Sequence, residues 1–269
     1  MPGRYDTITF LSDYGLADEF VGVVRSVIRE LAPEVEVIDL THGVPAHDVR
    51  AGALTLARAV QYVAPGVILA VVDPGVGTDR RGVAVEVLDG RAVFVGPDNG
   101  LLAPAVAVAG GATRAVELTS TEHRIPAPGT TFDGRDVFAP AAAHLCNGVE
   151  LTELGPEVEP ASLLPATLPI PRAEGDVLVG EVLWADAFGN CQLNVGPEDV
   201  DRWGDAIMVR WGDEARVAHR AASYAEIGEG RLGLVTDSYG VLSLCLDRRS
   251  AVDELGIGAG SEIRLEEAT

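Results

Sequence analysis

Asp6-Thr7-Ile8-Thr9-Phe10-Leu11-Ser12, followed at once by Asp13-Tyr14-Gly15, decides the fold. The first part alternates and is rich in branched side chains, and the second has turn chemistry, so the spacing predicts a strand running into a polar loop. Asp18 then precedes Phe20, Val23, Val24, Val27, Ile28 and Leu31 at helical spacing, with Pro33 as a stop. The unit repeats outward along the chain. A strand is expected over 35–40, a helix over 47–62, a short buried strand over 67–72, and further strands over 83–88 and 92–95. Short apolar strands alternating with helices predict an α/β domain with a largely parallel sheet, whose ligands bind beyond the carboxyl ends of the strands. Asp13 and Asp73 each directly follow such a strand.

Between 155 and 171 the periodicity fades and prolines stand at 156, 160, 165, 169 and 171. That composition marks a linker. The expected division is an α/β domain over 1–160, a Pro-rich linker over 161–173 and a second domain over 174–269. In the last part, short strands are expected over 177–184, 206–211, 232–235, 241–246 and 262–265, with Gly-rich turns between them. The second domain therefore reads as a small β-barrel.

At 269 residues and 47% hydrophobic content the chain can bury a full core. It has no basic-then-apolar leader pattern and no apolar run long enough to span a bilayer, so a soluble, cytoplasmic protein is expected. The formal charge of −21 without any basic run argues against nucleic acid and anionic lipid as partners and suits a cationic small ligand. All 20 basic residues are arginines, which excludes a Schiff-base lysine and a P-loop lysine. Cys146, Cys191 and Cys245 are far apart with no C-x-x-C pair, so they read as reduced core residues, not as a disulfide or zinc framework.

Three segments carry candidate chemistry. Val71-Val72-Asp73-Pro74-Gly75-Val76-Gly77-Thr78-Asp79-Arg80 joins a buried strand to a carboxylate, a rigid turn and an arginine able to return to Asp73. Taken alone it reads equally well as an ordinary turn with a surface ion pair. Thr131-Phe132-Asp133-Gly134-Arg135-Asp136 precedes a helix through Phe138, Ala142 and Leu145, and its polar groups could serve only as caps. Asp186-Ala187-Phe188-Gly189-Asn190 could be a plain hairpin turn. Gly96 to Gly100 is explained by turn chemistry.

Taken together and in order, with Ser12 to Gly15, His47-Asp48 and Ser238-Tyr239-Gly240, these segments resemble the S-adenosyl-L-methionine hydroxide adenosyltransferase family over nearly the whole chain. That family also contains the adenosyl-fluoride and adenosyl-chloride synthases. The resemblance implies a Rossmann-like α/β sandwich, a C-terminal β-barrel, and a homotrimer whose ligand lies between neighbouring subunits. It implies no cofactor. By matching position, Asp73, Arg80 and Asp133 would form the catalytic set, and Asp13 would accept from the ribose hydroxyls. Asp18 and Asp186 with Ser238 would hold the methionine end, Asn190 would read adenine, and Phe188 and Tyr224 would flank it. Phe132 and His47 would lie on the substrate side, although His47 could equally begin a helix.

The chemistry suits those residues. A sulfonium departs as a neutral thioether, so no acid or metal is needed behind it. The enzyme must hold water in line about 3 Å from C5′ and help it lose a proton. A carboxylate at Asp73 would repel a halide, which favours water over the halide-using alternative. One departure stands out: the family's hydrolases usually have histidine where this chain has Asp133. That leaves a non-catalytic nucleoside-binding protein as a second alternative. A metal hydrolase using Asp13, Asp73 and Asp98 lacks the expected ligand spacing.

Overall fold

The computed structural model describes residues 5–268. The chain divides into two compact units, the first running to Thr167 and the second from Leu168. In the first unit the elements follow in the order β1 (Thr7–Ser12), α1 (Phe20–Leu31), β2 (Glu36–Thr41), α2 (Val49–Ala59), β3 (Val67–Val71), β4 (Gly82–Val87), β5 (Ala92–Pro97), α3 (Ala103–Val108), β6 (Ala112–Glu117) and α4 (Ala139–Cys146). The sheet order is β2-β1-β3-β5-β4-β6. β1, β2, β3 and β5 are parallel, and β4 runs against both β5 and β6.

The period-2 alternation of buried strands sorts side chains between two helical layers. Ile8 and Phe10, Leu69 and Val71, and Val93 and Val95 share one core with Val24 and Ile28 of α1 and Ala142 and Leu145 of α4. Leu11, Ile68, Ala70 and Phe94 face the other way, onto Ala53 and Leu56 of α2 and Ala105 and Val106 of α3. The result is the α/β sandwich expected from the sequence. At the C-terminus of α1 the chain turns at Ala32, whose N–H donates to the Ile28 carbonyl just before Pro33. The second helix differs from expectation. It starts at Val49, not at 47, because the Asp48 carboxylate accepts from the Ala51 N–H and caps it.

The second unit contains β7 (Arg172–Glu174), β8 (Val177–Ala185), β9 (Cys191–Leu193), β10 (Ala206–Trp211), β11 (Glu214–Ala221), β12 (Leu232–Thr236), β13 (Leu242–Leu246), α5 (Ala251–Leu255) and β14 (Glu262–Glu267). Strands run in the order β14-β10-β11-β12-β13-β9-β8-β7, and β14 also pairs with β8, so all but β7 form a closed barrel. Val182, Leu193, Ile207, Val209, Leu234, Leu244, Ile263 and Leu265 fill it. Cys191 and Cys245 are buried in this unit and Cys146 in α4. Burial pushes the Cys146 and Cys245 thiols up to about 12 and Cys191 up to about 11. Among the described residues no helix is long and apolar enough to cross a membrane.

Candidate active site

β1 and β3 lie side by side and end level, with Ser12 opposite Val71. The Asp13 N–H continues the ladder to the Val71 carbonyl at 3.3 Å. The turns that follow therefore deliver Asp13 and Asp73 to one edge of the sheet. A third segment, 130–134, meets the Asp73–Arg80 loop there. Gly77 has φ +79°, and a Cβ on it would stand 3.2 Å from the Thr130 carbonyl oxygen, so the approach needs glycine.

Arg80 joins the two acidic segments. Its Nε donates to Asp73 Oδ1 at 3.1 Å, and its Nη2 donates to Asp73 Oδ2 and to Asp133 Oδ2, each at 2.6 Å. The side chains of Asp73 and Arg80 are only 5% and 9% exposed, whereas Asp133 is 21% exposed. The ring of Phe138 lies 5.4 Å from the guanidinium carbon. This is not a surface ion pair. Nor does Asp133 act as a cap: its side chain makes no capping hydrogen bond to the helical turn Gly134–Phe138. Burial raises the Asp73 pKa above its ordinary value; Arg80 opposes the shift and the neighbouring Asp133 adds to it.

Asp13, His47, Asp73, Phe132 and Asp133 line one cavity of about 240 Å³. Asp13 Oδ2 accepts from the His47 N–H at 2.8 Å. His47 itself is left-handed, with φ 67°, and stands outside α2, so the expectation that it begins the helix fails. The cavity also contains two aromatic residues that sequence reasoning did not assign to it, Tyr14 and Phe20. Their rings and that of Phe132 form a cluster with centroids 5.1–5.8 Å apart. Burial, with Asp13, Asp73 and Asp133 nearby, raises the Tyr14 pKa, so the phenol keeps its proton. Gly134 makes room for it, since a Cβ there would stand 2.1 Å from the Tyr14 hydroxyl oxygen. Asp18 is exposed and does not line this cavity.

A buried tie holds the loop that carries Asp13. Ser12 Oγ and His42 Nδ1 are 2.8 Å apart, the Tyr14 N–H donates to Ser12 Oγ at 3.3 Å, and the Gly15 N–H donates to the His42 carbonyl at 2.8 Å. Nearby, Asn99 bridges the Val72 carbonyl and the Leu101 N–H, a structural role.

In the second unit the remaining candidates occupy loops. The Asp186 carboxylate accepts from the N–H groups of Phe188 and Asn190, both at 2.9 Å, and from Asn190 Nδ2 at 2.8 Å, which fixes the turn between β8 and β9. Phe188 is 80% exposed and Tyr224 is 45% exposed. Ser238 is exposed in the turn between β12 and β13. The Tyr224 pKa is raised by burial, with the neighbouring Cys245, Asp186 and Asp237 adding to the shift.

The model for the SAM hydroxide adenosyltransferase N-terminal domain matches residues 8–155, and that for the C-terminal domain matches residues 180–264. The chain belongs to the SAM hydroxide adenosyltransferase family. Within this family it is 43% identical over 258 residues to an (R)-S-adenosyl-L-methionine hydrolase of Salinispora tropica, covering 96% of this chain and 97% of the relative. An (R)-S-adenosyl-L-methionine hydrolase of Thermus thermophilus is 42% identical over 266 residues, covering 96% and 98%. A fluorinase of Nocardia brasiliensis is more distant, at 25% over 298 residues and 98% of each chain. The crystal structure of an uncharacterized conserved protein from Thermotoga maritima shares the adenosyltransferase fold with a TM-score of 0.88. It is 33% identical and covers 97% of this chain and 100% of that one.

Proposed function

We propose that this protein hydrolyses S-adenosyl-L-methionine to adenosine and L-methionine by in-line attack of water on the ribose C5′. The observation that carries the reading is the largely enclosed Asp73–Arg80–Asp133 set, whose two carboxylates line a cavity that also presents Asp13. Asp73 takes the proton of the attacking water, and Arg80, always charged, holds both carboxylates in place. The oxygen–C5′ bond forms as the C5′–sulfur pair leaves on sulfur. Neutralising a sulfonium this way is helped by a cavity that sheds water. Asp13 receives the ribose hydroxyls, Phe132 with His47 borders the nucleoside, and Asp18, Asp186 and Ser238 hold the methionine end. Asn190 reads adenine between Phe188 and Tyr224.

The active unit is a homotrimer in which the barrel of one copy completes the site of the next. Support comes from the barrel-loop aromatics Phe188 and Tyr224, which a single copy leaves exposed. The reaction runs in the cytoplasm, in keeping with three buried thiols that form no disulfide. A halide-using activity is disfavoured by the Asp73 carboxylate and by the lower identity to fluorinases than to hydrolases. The test is incubation of the purified protein with S-adenosyl-L-methionine in excess chelator, with and without chloride. Adenosine and methionine are expected at an unchanged rate. Loss of activity restored by a divalent ion, or formation of a halogenated nucleoside, would contradict it.

A further inference from the structure

Behind the Arg80–Asp133 pair lies a second cavity, of about 370 Å³, lined among others by Thr78, Glu117, Thr119, Arg124 and Thr130. Asp133 is the one described residue that lines both this cavity and the substrate-side one. The two differ in character. The substrate side carries the aromatic cluster, whereas the second is lined by charged side chains of both signs, Asp79, Arg81, Glu117 and Arg124. Arg124 lines it with an Nε that is buried and has no hydrogen-bond partner among the described residues. A buried donor of that kind needs a partner, and water in a polar cavity of this size supplies one.

We propose that this second cavity is the path by which water enters the catalytic site and the reaction's proton leaves it. The inference rests on the hydrolytic reading above. Each turnover consumes one water and releases one proton, yet substrate filling the first cavity closes that side to solvent. The proton of the attacking water passes to Asp73. Arg80 cannot carry it onward, because a guanidinium stays protonated. Asp133 can: its Oδ2 and that of Asp73 each lie 2.6 Å from the same Arg80 Nη2, close enough for a single water to bridge them. From Asp133 the proton goes to water in the second cavity and on to bulk, and the next nucleophile returns along the same way. A carboxylate at position 133 thus faces both the reacting water and the exit.

The experiment fills the cavity from its rim, at residues that do not line the substrate side, with Thr119→Trp and Thr130→Trp. Adenosine affinity, measured by calorimetry, should stay within about twofold, while kcat falls by roughly tenfold or more, the scale of impaired proton transfer. The solvent deuterium effect on kcat should grow, and a small weak base such as imidazole should restore part of the rate. Unchanged kcat in both variants, with density showing the indole inside the cavity, would overturn the route; so would a parallel loss of affinity and rate in both. If the parent protein releases no adenosine, the fault lies with the hydrolytic reading. Crystals of the adenosine complex test the route without turnover. Hydrogen-bonded waters leading from Asp133 past Arg124 Nε to solvent are expected, and a dry cavity refutes it.

Discussion

Asp73 is nearly enclosed, and its carboxyl is held above the ordinary range by burial in spite of two hydrogen bonds from Arg80. A base must be ionised to act. The acid limb of the pH–rate profile should therefore lie above the usual carboxylate value of about 3.9. Removing the neighbouring negative charge with Asp133→Ser should move that limb to lower pH, and Asp133→His should do the same while retaining or increasing activity. Profiles superimposable on the parent's would remove Asp133 from the catalytic set. Asp73→Asn should lower kcat by about 10²- to 10⁴-fold with adenosine affinity kept within roughly tenfold. Asp13→Ala should instead weaken adenosine binding; if both variants behaved alike, the division of roles would be wrong. Asp13 and Asp73 were legible because each follows an apolar strand in an α/β pattern. Tyr14 and Phe20 were not, because Tyr14 reads as part of the turn after β1 and Phe20, the first residue of α1, reads as core. The tie between Ser12 and His42 was hidden for another reason: the partners are 30 residues apart and meet only through the pairing of β1 with β2.

At the scale of elements, the strands and helices with strong apolar periods were readable and the weak ones were not. β6 (Ala112–Glu117) mixes small, polar and charged residues, β9 spans only Cys191–Leu193, and β11 (Glu214–Ala221) carries charge along its length. Each is specified by its neighbours, not by its own pattern. The reversal of β4 was invisible too, since the side-chain period is the same in either direction. The turn Gly134–Phe138 leading into α4 reaches the substrate cavity through Gly134. A methyl group at Gly134 would collide with the Tyr14 hydroxyl, so Gly134→Ala should destabilise by about 1–3 kcal/mol, the usual cost of overpacking. Adding Tyr14→Phe removes the clashing oxygen, and part of the loss should return. Thermal or urea unfolding of the single and double variants measures this coupling, and strictly additive effects would show that the two residues do not meet.

For the whole molecule, the proposed sharing of sites between copies makes a prediction that no single-chain site can satisfy. On that proposal, Asp73→Asn disables the α/β side of a site and Asn190→Ala the barrel side. If the sites are intersubunit, co-refolding the two inactive variants should produce mixed trimers in which some sites have both sides intact. Activity well above that of either variant alone is expected, and its absence, with trimers verified by analytical ultracentrifugation, would argue for sites contained within one chain.

The closure of the barrel by β14 has a consequence for how the protein is made. β8 finds one of its ladder partners only in β14, some 80 residues later in the chain. At ribosomal speeds of about 5–20 residues per second, the growing chain holds that edge open for roughly 4–17 s. Open edges invite pairing with other chains. Glu262, Arg264 and Glu266 alternate along β14 with the buried Ile263 and Leu265, so the strand that shuts the barrel emerges with charge on every second residue. Those charges act only once β14 has emerged, and they make it a poor partner for a neighbouring chain on the polysome in the interval before it docks on β8 and β10 as the last stave.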